Sequence, residues 1–384
     1  MKIVSARYKE LRATAMGEVN DALRTFPDII NLGLGDPDFI TDDVIINNAC
    51  LDAKAGHTRY TDYRGDPELR KEISGFYENE YNLAIGDDEI FITTGGCHAM
   101  YLALEAILND GDEVLVQSPC FTPYPDQVRL ARGVPIEVPT YEENRFQLRE
   151  DVLAGLITEK TRALIINTPN NPTGSCFSLD TLQMIARFAN DHDLIVIADD
   201  IYTSYSYENP FVPIISLPGM RERTITINSF SKNFIMTGWR IGNIVAPAEL
   251  VRVIQHINEN VVFTVPSISQ RAAIHALRNR QIQDSVLETY KNRTSQLAKQ
   301  INSTPNMSVI TPHMGTFYLF INIRKTGLSS NEVSKRILNE AHVLVLPGVD
   351  FGKCGEGYIR VSCTVSQDNL TEAFERIGYM DIFS

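Results

Sequence analysis

The sequence predicts an α/β protein in two parts: a large domain with a mainly parallel sheet between helices, and a smaller α+β domain built from both chain ends. Three observations carry this reading. Runs such as Ala-Leu-Ile-Ile (163–166) and Leu-Ile-Val-Ile-Ala (194–198) are apolar at every position, as in strands buried on both faces. Such runs alternate with segments whose apolar residues follow the helical period. After Pro305 the pattern changes to two β runs, 316–323 and 358–362, interleaved with two helical ones, 331–341 and 368–378.

About the first 40 residues, with turn signals at Gly33, Gly35 and Pro37, are expected to pack on this second part. The division is then residues 45–300 for the large domain, and 1–44 with 301–384 for the small one. Candidate strands of the large domain are 90–94, 114–117, 136–138, 163–167, 194–198, 224–228 and 243–245. A helix over 99–108 places apolar residues at 100, 103, 104, 107 and 108. Residues 266–301 read as one long helix rich in Arg, Gln, Leu and Glu.

Composition bounds the function. Hydrophobic residues make up 43% and charged residues 22% of the 384, a globular balance. The net charge of -13 disfavours nucleic-acid and anionic-membrane partners, so any anionic ligand needs a local cluster of donors. No run approaches the length of a membrane span, and residues 1–12 lack the apolar stretch of a secretory signal. Six scattered cysteines without a C-x-x-C pair fit reduced thiols in a cytoplasm. No Cys/His cluster suggests a metal.

In a parallel sheet, ligands gather beyond the carboxyl ends of the strands. Five segments there carry chemistry. Gly95-Gly96-Cys97 opens a helix and is either a tight turn or an anion cradle. Asn-Thr-Pro-Asn-Asn-Pro-Thr-Gly (167–174) is a rigid turn in which Asn170 or Asn171 can present an amide. Asp199-Asp200-Ile201-Tyr202 puts a carboxylate at a buried strand end, which calls for a cationic partner or a helix to cap. Ser229-Phe230-Ser231-Lys232, with Arg240 eight residues on, suits an imine-forming amine beside a phosphate clamp. Arg360, in Tyr-Ile-Arg-Val-Ser, suits a carboxylate gripped in a bidentate fork or a structural ion pair. Together they fit a cofactor with a phosphate, a pyridinium nitrogen, a phenolic oxygen and an aldehyde.

Ordered motifs from about residue 30 to 363 carry a resemblance. They include Asn-Leu-Gly-Leu-Gly-Asp-Pro-Asp-Phe (31–39), Tyr60 with Gly-Asp-Pro-Glu-Leu-Arg (65–70), and the strand-end segments. The most specific is Ser-Phe-Ser-Lys-Asn-Phe-Ile-Met-Thr-Gly-Trp-Arg-Ile-Gly (229–242). The chain resembles a class I/II aminotransferase of the aspartate aminotransferase superfamily, pyridoxal-phosphate enzymes of fold type I. The resemblance implies that Lys232 carries pyridoxal 5'-phosphate as an imine and, once displaced, acts as general base. It implies Asp199 on the ring nitrogen, Asn171 and Tyr202 on the ring oxygen, and Phe121 stacked on the ring. Gly96, Cys97, Ser229 and Arg240 would hold the phosphate, with Tyr60 reaching it from the second subunit of a homodimer. Arg360, Asn171 and the Gly35 backbone would bind the substrate α-carboxylate. The implied reaction is ping-pong transfer of an amino group between an amino acid and a 2-oxo acid.

Two positions depart from the family pattern. Cys97 stands where relatives often carry Ser, Thr or Lys, and Asp200 replaces a glutamate. The motifs also admit a pyridoxal-phosphate carbon–sulfur β-lyase on the same fold. A sensing regulator would need a DNA-binding domain, and only about 30 residues precede Gly33. A nicotinamide dehydrogenase would need the third glycine that Gly33-Leu34-Gly35-Asp36-Pro37-Asp38 lacks. Donor choice between aspartate and an aromatic amino acid turns on a second cation, Arg59 or Arg64, or an apolar pocket from Met16 and Phe121.

Overall fold

The computed structural model describes residues 28–384; the expectations placed on Met16 and the first 27 residues lie outside them. The strands are β1 (Ile30–Asn31), β2 (Ile90–Thr93), β3 (Glu113–Ser118), β4 (Val134–Pro139), β5 (Thr161–Asn167) and β6 (Ile195–Asp199). They continue with β7 (Thr224–Ser229), β8 (Gly242–Val245), β9 (Tyr318–Asn322), β10 (Val343–Leu344), β11 (Leu346–Pro347) and β12 (Tyr358–Ser362). Seven form one sheet in the order β2-β8-β7-β6-β5-β3-β4. Strands β3 to β7 pair in parallel, while β8 runs antiparallel to both neighbours.

The uninterrupted apolar runs now have their cause. On β5, Ala163 and Ile165 join a core cluster with the Gly95–Ile107 helix. Leu164 and Ile166, from the alternate face, join a second cluster with the Leu179–Asp191 helix. A strand covered on both faces needs an apolar residue at every position.

A second layer combines β9, β11 and β12 as an antiparallel sheet, with Arg360 opposite Phe320 and Ser362 opposite Tyr318. Strand β1 pairs in parallel with β10, matching Ile30 to Val343. The core of this layer takes Ile30 and Leu32 from one end of the described chain and Leu319, Val361 and Phe374 from the other.

One expected element is corrected. The long helix over 266–301 is two, Ser267–Arg278 and Asp284–Asn302, separated by a short turn at Arg280–Gln283. Asn279 makes the break: its backbone leaves the helical region, and its side-chain amide donates to the His275 carbonyl at 2.8 Å. Asparagine competes in this way with the backbone it sits in. Arg280 then turns aside to pair with Glu80 at 2.6 Å.

Arg271, on the first of these two helices, ties it to two others. Its guanidinium meets Asp52 at 2.7 Å and Asp66 at 3.4 Å, and also pairs with Glu68, while its side chain is only 8% exposed. Removing it leaves three carboxylates without their common cation. Arg271→Ala should destabilise the fold by about 2–3 kcal/mol, allowing for partial solvation of the acids, as read from a urea midpoint.

Candidate active site

The carboxyl ends of β3, β5, β6 and β7 bring one set of side chains together. Lys232 follows β7 on a single helical turn, Phe230–Asn233, capped by the Ser229 hydroxyl. Its ammonium donates to the Gly35 carbonyl at 2.6 Å. Loss of water pushes the Lys232 pKa down to about 8; Asp36 opposes the shift, and Arg360 and Arg240 add to it.

Asp199 ends β6, buried. Its carboxylate accepts the Tyr124 hydroxyl at 2.5 Å and the Ile201 N–H at 3.2 Å. Burial still dominates these donors and raises its pKa to about 6. Asp200 is buried as well, and its carboxyl is held well above the usual range by desolvation and then by the Asp199 charge.

On β5, the Asn167 side chain ties the neighbouring turns together. Its amide donates to the Asp199 carbonyl at 2.8 Å, and its oxygen accepts the Asn171 N–H at 2.9 Å. Asn171 in turn accepts Arg360 Nη1 at 3.0 Å, and Arg360 Nη2 donates to the Gly33 carbonyl. Arg360 Nε is a buried donor with no protein partner. A carboxylate gripped through the guanidinium edge would satisfy it.

The residues expected to hold an anion come from three elements. Gly95 opens the Gly95–Ile107 helix at φ +76, and a Cβ there would lie 2.9 Å from Arg240 Nη2. The positive φ favours glycine here, and the small residue lets the guanidinium lie close. Gly96 and Cys97 occupy the first turn of this helix, where unpaired N–H groups favour an anion. Ser229 Oγ and Ser231 Oγ lie 2.9 Å apart at the end of β7.

Two named residues sit differently. The Phe121 ring packs edge-on to Tyr124 at 5.6 Å, which places it next to Asp199's partner. Tyr60 stands apart, 81% exposed, with its ring edge-on to Phe263 at 5.1 Å. Of the two arginines weighed for a side-chain carboxylate, Arg64 is committed to Asp87 at 2.9 Å.

Residues 27–377 match the family model described as aminotransferase class I and II. The chain belongs to this family. It is 41% identical to an aspartate aminotransferase of Pyrococcus abyssi over 97% of each chain. It is 40% identical to an aromatic-amino-acid aminotransferase of Thermococcus litoralis, again over 97% of each. The crystal structure of an aromatic aminotransferase from Pyrococcus horikoshii superposes with a TM-score of 0.89 at 39% identity, covering 94% of this chain and 97% of that one. These relatives support an aminotransferase over the carbon–sulfur lyase that the motifs left open.

Sequence reading missed two members of the constellation. Tyr124 stands three residues after Phe121 in Pro-Cys-Phe-Thr-Pro-Tyr, so its position was available but its partner was not. Tyr318 lies inside an apolar β run and touches both Tyr202, at 3.2 Å between hydroxyls, and Arg360.

The Asp199 shift has a consequence for stability. Its folded pKa, about 6, exceeds the ordinary 3.8, so the folded chain keeps the proton as the pH rises. Charging it costs stability that is lost between about pH 4 and 6. In ligand-free protein, Asp199→Asn should gain on the order of 2–3 kcal/mol at pH 8 and nothing at pH 4. Thermal midpoints at the two pH values check this.

Proposed function

We propose that this aminotransferase holds pyridoxal 5'-phosphate covalently on Lys232 and moves an amino group between an L-amino acid and a 2-oxo acid. The observation that carries the reading is an amine with its pKa lowered to about 8, set among an anion cradle, a buried carboxylate and a guanidinium with an unpaired donor. When bound, the cofactor supplies an electron sink for charge developing at the substrate α-carbon.

The residues divide the remaining work. Gly96, Cys97, Ser229 and Arg240 bind the phosphate, and Tyr60 of a second copy reaches it in a homodimer. Exposed Tyr60, Tyr63, Val261 and Phe263 support such a contact, because monomer surfaces rarely cluster aromatic side chains. Asp199 pairs with the ring nitrogen, and that cation returns its carboxyl to the charged form. Asn171 and Tyr202 bond the ring oxygen, while Phe121 covers the ring face. Arg360, with Asn171 and the Gly35 backbone, orients the α-carboxylate. Lys232, able to lose its proton near neutral pH, takes the α-proton and can return it.

Residues 45–300 are the large domain of this reading, and the small one, placed at 1–44 with 301–384, is described only over 28–44 and 301–384. The protein works in the cytoplasm, a reading supported by its free cysteines. Among the described residues, no helix is long and apolar enough to cross a membrane.

Donor choice divides between aspartate and aromatic amino acids. A cleft of about 510 Å³ beside the Gly35 turn is lined by Phe39, Ile235, Trp239 and Ile268, with Asp36 on its wall. Thr41, Thr237 and Ser269 also line it, and Asp36 is the one charged group of the lining. An acid with no cation beside it disfavours a second carboxylate, and the aromatic side chain is the better occupant. With 2-oxoglutarate as acceptor, kcat/KM for phenylalanine or tyrosine should exceed that for aspartate by about tenfold; the reverse order rejects the aromatic assignment.

The amine role has its own test. Lys232→Ala should keep the fold by circular dichroism, lose more than about 10⁴ in turnover, and take no pyridoxyl tag after borohydride reduction. Activity within tenfold of the unaltered chain refutes the assignment.

A further inference from the structure

Tyr318 stands opposite Ser362 in the β9–β12 register, and Arg360 is two residues before Ser362. Both side chains therefore leave the same face of the sheet. The Tyr318 ring centre lies 4.4 Å from the Arg360 guanidinium carbon, and Phe351 covers the same group at 4.8 Å. At the far end of the ring, the Tyr318 hydroxyl accepts that of Tyr202 at 3.2 Å. A Cβ at Gly35 would fall on the same hydroxyl, so only glycine lets the strap and the phenol share this space. Tyr318 is 3% exposed.

We infer that Tyr318 is a positioning residue that couples carboxylate recognition by Arg360 to the hydrogen bond Tyr202 gives the cofactor; the inference rests on the function proposed above. Two parts of one side chain do this. The ring, with Phe351, holds the guanidinium plane, and a bidentate grip needs that plane fixed. The hydroxyl acts on Tyr202. A phenol has one proton to give and lone pairs to accept with. When Tyr202 gives its proton to the cofactor's ring oxygen, Tyr318 is the neighbour that donates to the Tyr202 oxygen. A donor placed there makes the Tyr202 hydroxyl a stronger hydrogen-bond donor, and so stabilises negative charge on the ring oxygen.

The contact also joins the two layers of the fold. Tyr318 belongs to β9, and Tyr202 to the turn after β6. A purely structural tyrosine in this aromatic cluster, with Tyr205, Tyr290 and Phe317, would tolerate phenylalanine without any change at the cofactor. The charged and titratable groups facing the hydroxyl pair are Arg360, Asp36, Asp199 and Tyr205. Tyr318→Phe leaves all four in place, which isolates the hydroxyl.

The test titrates the colour of the bound cofactor against pH in holoenzyme, and measures KM and kcat for an amino acid and a 2-oxo acid. Tyr318→Phe should raise the spectral midpoint by about half a unit while KM changes less than about twofold. Tyr318→Leu, which also removes the ring, should raise KM for both substrates about tenfold with a smaller fall in kcat. A midpoint in Tyr318→Phe within about 0.1 unit of the unaltered enzyme overturns the coupling. Unaltered KM values in Tyr318→Leu overturn the ring's part. If the unaltered chain takes up no colour and no borohydride tag, the proposed function itself falls, a result distinct from a coloured enzyme whose variant does not shift.

Discussion

Two cations, Arg360 buried and Lys232 half-buried, share one strap of backbone, and the site is organised around that constraint. Lys232 donates to the Gly35 carbonyl and Arg360 to the Gly33 carbonyl. A cation removed from water needs an acceptor, and a carbonyl dipole provides one without neutralising the charge. The strap is fixed in turn by Thr364 Oγ1, which donates to the Leu34 carbonyl at 2.9 Å, and by Asp38, which meets Arg293 at 2.8 Å and Tyr290 at 3.0 Å. Because these acceptors are neutral, each cation keeps its charge available to an anionic ligand, although the chain as a whole carries a charge of -13.

Burial at the sheet end moves the acid and the amine towards each other. Asp199 rises to about 6 and Lys232 falls to about 8, both chiefly through loss of water. Each group is then poised to change protonation near neutral pH, when a partner arrives or leaves. The same dehydration that costs folding free energy makes the proton chemistry available. Parallel strands suit this arrangement, since β5, β6 and β7 all deliver their carboxyl ends to one edge.

Much of this was legible in the sequence. The apolar runs gave the buried strands, because burial on both faces leaves no polar position to confuse the period. Lys232, Asp199, Asn171 and Arg360 were readable because each follows or occupies a strand that the pattern identifies, and ordered motifs limited their roles. Other features needed coordinates. The break at Asn279 depends on a side chain choosing the His275 carbonyl over solvent, which composition does not reveal. Tyr318 looked like one more apolar residue in Thr-Phe-Tyr-Leu-Phe-Ile (316–321), and only the strand register turns it onto Arg360. Tyr124 is a similar case, since a hydroxyl meets a carboxylate 75 residues away only after β3 and β6 enter the same sheet.

The two-layer construction follows from how the polar contacts are shared. Asn171, Asp199, Tyr202 and Lys232 come from the seven-stranded sheet, whereas Arg360 and Tyr318 come from the antiparallel layer. The strap belongs to the second layer, because β1 is held by β10, yet it extends across to meet Lys232. Each layer therefore lends the other an essential partner: Asn171 for Arg360, Gly35 for Lys232, Tyr318 for Tyr202. Apolar cores fix each layer internally, but they are not directional. Hydrogen bonds, which weaken steeply with distance and angle, supply the registration between layers that reacting groups require.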